Sequence, residues 1–142
     1  MLKILLMNPE IALKKLNEII PNTLMETLGI RYTYVGDNEV HAQMPINEKV
    51  HQPMGLLHGG ASVALAESVG SAASHLFIEK GQEVRGIEIS SNHLKSARTG
   101  MAIAKAKVIH KGRTTHLWEI RIENENGDLL SLCKITNIVL SK

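Results

Sequence analysis

Apolar and polar residues alternate with two different periods along the chain. The changes of period mark the boundaries between predicted helices and strands. After Asn8 and Pro9, a capping side chain followed by proline at a first helical position, apolar residues recur every three to four positions. This pattern predicts a short N-terminal helix over about 9–20. A second helical turn is predicted over 23–28, closed by Gly29 as a left-handed cap.

Six later segments alternate apolar and polar residues with a period of two, which predicts β-strands. They cover 30–35, 39–46, 83–94, 101–110, 114–123 and 129–139. Asn126-Gly127 separates the last two segments. Asn-Gly is a strong hairpin signal because both central residues of the turn need a positive φ. These two segments are therefore predicted to pair as antiparallel neighbours.

Residues 57–79 are the one long helical candidate in the rest of the chain. Between Met54 and Ile78 the residues are mostly small or apolar, with no lysine or arginine and a single acid, Glu67. A surface helix has a charged face, so this pattern predicts a central helix that is buried nearly all round. One long helix among six strands predicts an α+β fold, with the helix packed on one face of an antiparallel β-sheet.

Composition narrows the class of protein. The 142 residues match one ordinary domain and show no linker or repeat, so a single domain over 1–142 is expected. A formal net charge of +2 and only four aromatic residues argue against nucleic acid as a partner. The single cysteine, Cys133, excludes an intrachain disulfide, and its strand-like surroundings indicate a core or sheet residue.

The sequence shows no membrane or export segment. No apolar run approaches the ~20 residues that a membrane helix needs. Met1–Met7 is short and lacks the small-residue cleavage site of a signal peptide. We therefore expect a cytoplasmic protein that does not contact a membrane.

Glu67 is the residue of the central helix that most needs an explanation. Burying an unpaired carboxylate is costly, so the group must be hydrogen-bonded, paired or functional. One interpretation is a structural acid that Ser68, Ser71 or a backbone donor satisfies. The other is a carboxylate kept in a poorly solvated cleft for nucleophilic or general-base chemistry. The helix by itself does not choose between them.

The loop that leads into this helix has the composition of an anion site. Gly59 and Gly60 allow backbone N–H groups to approach a ligand with no Cβ in the way. The first N–H groups of a helix have no internal partner, and the helix dipole favours negative charge there. Gln52 and His58 add side-chain donors. Each feature alone is common, but together they suit an oxyanion that develops on a carbonyl.

The stretch from Gln52 to Ser71, QPMGLLHGGASVALAESVGS, closely resembles the hotdog-fold acyl-CoA thioesterases of the 4-hydroxybenzoyl-CoA (Arthrobacter-type) and PaaI-like group. Within this group it is most similar to the 1,4-dihydroxy-2-naphthoyl-CoA thioesterases of menaquinone biosynthesis. The later stretch VRGIEISSNHLKSARTG, from Val84 to Gly100, also matches the family. The resemblance implies a hotdog fold, in which a long sheet wraps a central helix, and hydrolysis of an acyl-CoA, favouring an aromatic acyl group. It implies no cofactor.

The resemblance also implies roles for individual residues. Glu67 would attack the thioester carbonyl or activate water for that attack, and Gly59 would supply the backbone N–H of the oxyanion hole. Gln52 and His58 would hold the carbonyl and order the helix entry. Ser71, one helical turn beyond Glu67, would position water or assist release of the acyl group.

Two further positions carry less defined roles. Ser68 neighbours the acid but is expected to face elsewhere on the helix, so it is a candidate substrate contact only. His93 matches a family position that lines the acyl pocket. One departure from the family is Met54, where relatives often carry an aromatic residue, and it bears on the acyl pocket.

The spacing of Glu67 and Gly59 argues for a second copy of the chain. Eight residues along one helix correspond to about 12 Å, whereas a thioester carbon must lie ~3 Å from both nucleophile and oxyanion donor. Two antiparallel copies of the helix would bring Gly59 of one chain toward Glu67 of the other. We therefore expect a homodimer that shares its active sites. The family resemblance implies the same, commonly with dimers paired into tetramers.

Coenzyme A carries phosphates, so basic residues are expected near the mouth of its site. Two clusters at loop edges qualify. The first holds Lys95, Ser96 and Arg98, and the second holds Lys111, Gly112 and Arg113. Such residues are equally often merely solvated. The histidines show no spacing typical of a metal site, so none is expected.

Two other functions compete with hydrolysis. A hotdog dehydratase or hydratase would use a histidine together with an acid to move protons beside a carbonyl. A non-catalytic acyl-CoA-binding module would use the same fold without chemistry. The acid in the middle of the helix and the histidine at its entry fit hydrolysis better than proton transfer. A binding module would have no reason to bury an unpaired carboxylate facing its ligand.

Overall fold

A computed structural model describes residues 8–142, and the expectation about Met1–Met7 lies outside these described residues. Three α-helices and six β-strands make up the fold. Helix α1 covers Pro9–Glu18, α2 covers Leu24–Leu28 and α3 covers Gly59–His75. A single 3-10 turn lies at Glu48–Val50.

The two N-terminal helices begin and end as their caps predict, apart from one boundary. Asn8 accepts a hydrogen bond from the Glu10 backbone N–H at 2.8 Å. Helix α1 ends at Glu18, earlier than the predicted residue 20, because proline at position 21 has no N–H to continue the ladder. Gly29 closes α2 with φ of 73°, as predicted.

All six strands form one antiparallel sheet. They are β1 Arg31–Gly36, β2 Glu39–Pro45, β3 Gln82–His93, β4 Met101–Lys111, β5 Thr115–Glu123 and β6 Leu129–Ser141. The sheet order is β1-β2-β4-β5-β6-β3, so β1 and β3 are the edge strands. Helix α3 packs across β2 to β6. The predicted α+β architecture, an antiparallel sheet wrapped around one central helix, is confirmed.

The turn at Asn126-Gly127 differs from the prediction. Of these two residues only Gly127 has a positive φ, 82°. The Asn124 side chain accepts hydrogen bonds from the backbone N–H groups of Asn126 and Asp128, at 3.0 and 2.9 Å. This side chain organises a longer loop, which does not need the positive φ at Asn126 that a two-residue turn would require.

Helix α3 is shorter than the predicted span of 57–79. The backbone N–H groups of Leu57 and His58 are taken by the carbonyls of Ala97 and Val50, both at 2.8 Å. These bonds hold the two residues in the loop, so the helix begins at Gly59. At the other end Leu76 is the C-cap, and the helix stops at His75.

The core lies between α3 and the concave face of the sheet. Inward-facing positions of the strands alternate with exposed ones, and the alanines of β2 and β4 give the helix room. Cys133 is buried in β6, as predicted. The buried strand residues that face the helix include Ala42, Met44, Ala104, Trp118, Ile120 and Ile135.

Helix and sheet approach each other closely at Gly70. A Cβ at this position would lie 2.5 Å from Ile135 Cγ2. Replacing Gly70 with alanine is therefore expected to lower the free energy of unfolding by about 1–3 kcal/mol, because overpacking outweighs the better helix propensity of alanine. Urea unfolding of the two proteins measures the difference, and an unchanged midpoint with an unchanged slope would contradict the contact.

The expectation that α3 is buried nearly all round is wrong for one chain. Its apolar face packs on the sheet, but Gly60, Glu67 and His75 are exposed, and Ala64, Ser68 and Ser71 are half-buried. A sequence records that a helix lacks charges, but not how much of it its own chain covers. Among residues 8–142, no helix is both long and apolar enough to cross a bilayer.

Candidate active site

The loop before α3 is folded by its own backbone. Gln52 N–H donates to the Leu56 carbonyl at 2.8 Å, and Gly55 N–H donates to the Gln52 carbonyl at 2.9 Å. The Gln52 side-chain oxygen accepts from the Met54 N–H. Because that oxygen is engaged, the Gln52 amide nitrogen is oriented away, and it has no hydrogen-bond partner within the described chain. It therefore remains available as a donor.

His58 is the N-cap of α3. Its Nδ1 accepts from the Gly60 N–H at 2.7 Å, so the capping ring carries its proton on Nε2 when neutral. The N–H groups of Ala61 and Ser62 bond to the His58 carbonyl at 3.0 and 3.2 Å. Among the first-turn donors of the described helix, only the Gly59 N–H has no acceptor. His58 thus caps the first turn of α3.

Gly59 opens onto a cavity of about 290 Å³, here called the Gly59 pocket. Gln52, His93 and Ser96 are among its lining residues. His93 packs directly on the glycine, since a Cβ there would lie 2.7 Å from His93 Nε2. The other ring nitrogen of His93 is 2.8 Å from the Ser131 hydroxyl, which fixes the ring. Gln52, Gly59 and His93 are therefore brought together.

Glu67 lies in a different cavity of about 430 Å³, here called the Glu67 pocket. Its apolar wall comes largely from the N-terminal helices and β1, which sequence reasoning did not assign to the site. The lining residues are Leu16, Ile19, Leu24, Met25, Tyr32, Ala64, Glu67, Ser68, Ser71, Ala72, His75 and Val84. Helix α1 is tied to β1 by Asn17, which exchanges two hydrogen bonds with the Tyr32 backbone at 3.0 Å.

Three residues with hydroxyl groups line the Glu67 pocket together with the carboxylate. Ser71 shares the helix face of Glu67, as predicted, and its hydroxyl has no partner among residues 8–142. Ser68 also lines the pocket, so the expectation that it faces elsewhere is wrong. Its hydroxyl donates to the Ala64 carbonyl at 2.7 Å. Tyr32 donates to the Ser68 carbonyl at 3.1 Å, and burial raises the pKa of Tyr32 far above its usual range.

The Gly59 and Glu67 pockets have no lining residue in common. Glu67 is exposed in the single chain, contrary to the expected poorly solvated cleft. Its Oε1 faces strand β3, 3.0 Å from the position that a Cβ at Gly86 would take. One chain therefore presents the acid and the free N–H of Gly59 in two separate pockets.

The two basic clusters lie at opposite ends of β4, which is 11 residues long and ends at Lys111. Lys95 pairs with Asp128 at 2.7 Å, and this hydrogen bond lowers the pKa of Asp128. Arg98 donates to the Met54 carbonyl at 3.1 Å and so braces the loop before α3. By contrast, the Arg113 side chain has no hydrogen-bond or ion-pair partner within the described residues.

Gly112 and Arg113 line a third cavity, of about 510 Å³, together with Lys111, Phe77 and His116. Lys111 lies over the Phe77 ring, 3.8 Å from its centroid. Among residues 8–142, no three histidine, cysteine or carboxylate side chains lie close enough together to hold a metal ion.

A buried polar network beneath α3 was also missed by sequence reasoning. Ser74 contacts His116, Trp118 and Asn137, at 3.0, 2.8 and 2.7 Å. The strand pattern did contain a sign of this network. His116 and Asn137 occupy inward-facing positions, and the neighbouring inward residues are apolar. Burial lowers the pKa of His116, which favours the neutral ring.

Comparison with known proteins identifies the family. The model of the thioesterase superfamily matches residues 54–131. The 1,4-dihydroxy-2-naphthoyl-CoA hydrolase of Escherichia coli is 41% identical over 131 residues, covering 92% of this chain and 96% of that protein. The proofreading thioesterase EntH of Cronobacter turicensis is 42% identical over 129 residues, covering 91% of this chain and 94% of that protein.

Solved structures agree. A crystal structure of a mutant of thioesterase PA1618 from Pseudomonas aeruginosa matches with a TM-score of 0.89 and 41% identity, covering 92% of this chain and 94% of that one. A thioesterase from Haemophilus influenzae matches with a TM-score of 0.88 and 39% identity, covering 91% and 90%. These relatives favour hydrolysis over the dehydratase and the binding module. The chain thus belongs to the thioesterase superfamily, as a hotdog-fold enzyme that hydrolyses thioesters.

Proposed function

We propose that this thioesterase hydrolyses an acyl-coenzyme A, with Glu67 as the catalytic carboxylate and the Gly59 N–H as the oxyanion donor. The observation that carries the proposal is the Gly59 amide, the one first-turn donor of the described helix without an acceptor. It stands at a helix N-terminus, where the dipole favours the negative charge that develops on the thioester oxygen. The free Gln52 amide nitrogen in the same pocket supports a second hydrogen bond to that oxygen.

Each active site is shared by two chains. The Gly59 and Glu67 pockets are separate half-sites of one chain. The exposed side of α3 between Gly60 and Ser71 bears small residues, which suit close packing by a second helix. Strand β3 is an open edge of 12 residues that exposes Ile87 by 58%. A homodimer joined along β3 and α3 would place Glu67 of one protomer near Gly59 of its partner. Pairing of such dimers into tetramers remains a prediction.

The Glu67 pocket would receive the acyl group. Its wall is predominantly apolar, and its volume of about 430 Å³ lies within the ~300–1,000 Å³ typical of small-ligand sites. The Tyr32, Ser68 and Ser71 side chains place polar groups on that wall. This lining supports an aromatic acyl group that bears hydroxyls, with 1,4-dihydroxy-2-naphthoyl-CoA first, as the name of the Escherichia coli relative suggests. A coenzyme A substrate also supports the predicted cytoplasmic location.

A panel of acyl-CoA esters, assayed by release of free thiol, tests this function. Aromatic acyl-CoAs are expected to have the highest kcat/KM, followed by aliphatic chains of similar size. The matched control is the same acyl group carried as an oxygen ester, with hydrolysis followed by release of the free acid. Absence of turnover with every acyl-CoA would overturn the proposed substrate class.

The coenzyme A phosphates would lie against the basic clusters, and Arg113 is the best placed because its donors are unused. Replacing Arg113 with alanine is expected to raise KM for the acyl-CoA by about fivefold with kcat unchanged, since the lost contact binds substrate and transition state alike. The corresponding acyl-pantetheine, which lacks the phosphates, should show no change.

The matched control for Arg113 is Lys14→Ala, which removes an exposed cation of α1. An equal rise in KM for the acyl-pantetheine would contradict a phosphate contact at Arg113. Lys95, Ser96, Arg98 and Gly112 stay candidates for the same moiety, although Lys95 and Arg98 already have protein partners.

A further inference from the structure

A row of polar and small residues crosses the sheet directly beneath α3. His116 of β5 and Gly86 of β3 are both register partners of Asn137 in β6, so the three positions face the helix side by side. On α3 the matching positions, three and four residues apart, form one helix face. These are Glu67, Gly70 and Ser74. The row therefore runs from the buried network to the proposed catalytic acid.

Ser74 fixes the buried end of the row. Its hydroxyl oxygen accepts from Trp118 Nε1 at 2.8 Å and from Asn137 Nδ2 at 2.7 Å, which uses both lone pairs. Its single proton is then donated to His116 Nδ1, 3.0 Å away. Every hydrogen-bonding position of this hydroxyl is occupied, so the Asn137 amide nitrogen is held in one place.

The orientation of the Asn137 amide follows from its second bond. Nδ2 also donates to the Gly70 carbonyl at 3.1 Å, and a carbonyl only accepts, so the amide cannot be turned over. The Asn137 oxygen must therefore point the other way. Asn137 is fully buried, and this Oδ1 is the buried side-chain polar atom that has no hydrogen-bond partner in the described chain.

The unpartnered oxygen and the carboxyl group of Glu67 both lie beside Gly86. Asn137 Oδ1 lies 3.5 Å, and Glu67 Oε1 3.0 Å, from the position that a Cβ at Gly86 would occupy. Two acceptor oxygens thus border the same position beside a residue that has no side chain to fill it. A buried acceptor without a donor is costly. A proton carried by Glu67 would supply that donor.

We propose that Asn137 is the positioning residue of Glu67, its Oδ1 accepting the hydrogen bond that the Glu67 carboxyl donates whenever it carries a proton. This inference rests on the proposed role of Glu67 and deepens it. An acceptor beside the carboxyl is useful to a general base, which becomes an acid during the reaction. A nucleophilic carboxylate has no proton to donate, so the geometry favours the general base.

Hydrolysis then takes two steps, addition of water to the thioester and loss of the thiol. Glu67 takes a proton from water while the water oxygen bonds to the thioester carbonyl carbon, and the carbonyl electron pair moves to the oxygen held by Gly59 N–H. The new Glu67 acid donates its hydrogen bond to Asn137 Oδ1. When the tetrahedral intermediate collapses, the carbon–sulfur bond breaks and the proton passes from Glu67 to the thiolate of coenzyme A.

Gly86→Ala tests the contact without removing any hydrogen-bonding group. Its φ lies outside the left-handed region, so alanine strains no backbone. The new methyl would meet the Glu67 carboxyl, the end of an exposed and movable side chain, and would occupy the space beside both oxygens. The matched control is Ser90→Ala, a change of similar size at an exposed position of the same strand.

The direct measurement is the infrared C=O stretch of the protonated Glu67 carboxyl in the intact enzyme at acidic pH, identified as the band that Glu67→Gln removes. Gly86→Ala is expected to move this band to higher frequency, because the carboxyl loses its acceptor, and Ser90→Ala to leave it in place. Gly86→Ala should also lower kcat about tenfold or more with KM unchanged, as misplacing a general base does.

An identified band that stays unmoved in Gly86→Ala would overturn the role of Asn137. If Gly86→Ala does not fold, Asn137→Ser removes the acceptor from the other side and is expected to shift the band in the same direction. The experiments distinguish failure of the catalytic role of Glu67 from failure of the positioning role of Asn137. Full turnover in Glu67→Gln would overturn the catalytic role of Glu67, whereas loss of turnover there together with an unmoved band in Gly86→Ala overturns only the role of Asn137.

Discussion

Replacing Glu67 with glutamine is expected to lower kcat for acyl-CoA hydrolysis by about a thousandfold, within the ~10²–10⁴ that a positioned base contributes. The change keeps the shape of the side chain and removes its ability to take a proton or attack a carbonyl. Steady-state kinetics by free-thiol release measures the loss. Binding of the acyl-CoA, followed by calorimetry with the inactive variant, should be retained.

The stability of Glu67→Gln separates a catalytic role from a structural one. The Glu67 side chain is exposed in the single chain and makes no hydrogen bond or ion pair with the described residues. Its replacement is therefore expected to leave the thermal midpoint of the protein unchanged within about 2 °C, a shift that corresponds to about 1 kcal/mol or less. Glu125→Gln, in the exposed β5–β6 loop, is the control that should change neither midpoint nor rate. A Glu67→Gln variant that retains most of the rate would make Glu67 a structural residue.

Activity is expected to return when two inactive variants are combined in one dimer. Gly59→Val keeps the backbone N–H but fills the approach to it, since even a Cβ at this position reaches 2.7 Å from His93 Nε2. Alone it should lower kcat/KM by at least about a hundredfold, as the loss of an oxyanion donor does. Glu67→Gln alone damages the other half-site.

A hybrid dimer of the two variants is expected to recover a definite fraction of the wild-type activity. In a two-fold dimer with shared sites, a hybrid of the two variants has one doubly mutated site and one intact site. Equal co-expression gives hybrids in half of the dimers, so about a quarter of the wild-type activity should return. A site built from one chain would give no recovery, because every subunit then carries a damaged site. The control is a mixture of the separately purified variants assayed before subunits exchange.

The order of elements could be predicted from the sequence because both signals are local. A period of two or of three to four depends on which side of a strand or helix meets the core, and the cap at Asn8 and the glycine at position 29 act within one turn. The strand limits therefore differ from the predictions by at most two residues. Local reasoning failed where a distant residue intervenes, as at the start of α3, where the Val50 and Ala97 carbonyls hold Leu57 and His58 in the loop.

The candidate site was only partly visible in the sequence. Gln52, His58, Gly59 and Glu67 lie in one continuous stretch, so their types and spacing could be interpreted together. The Tyr32 side of the Glu67 pocket and the Asn137 side chain beside Gly86 come from segments more than thirty residues from Glu67. The one hint of the role of Asn137 was that a polar residue occupies an inward strand position. That position does not reveal which helix residue lies opposite.

Glu67 illustrates the difference between what the sequence determines and what the tertiary structure decides. The sequence by itself determined that this acid is the single charged residue of a helix otherwise built from small and apolar residues, and that eight residues separate it from Gly59. Only the tertiary structure decided that Glu67 is exposed, that it and Gly59 open onto different pockets, and that its carboxyl oxygen and the Asn137 amide oxygen both lie beside Gly86. The physical reason is that composition and spacing are properties of one segment, whereas burial and contact depend on what other segments bring to the same place.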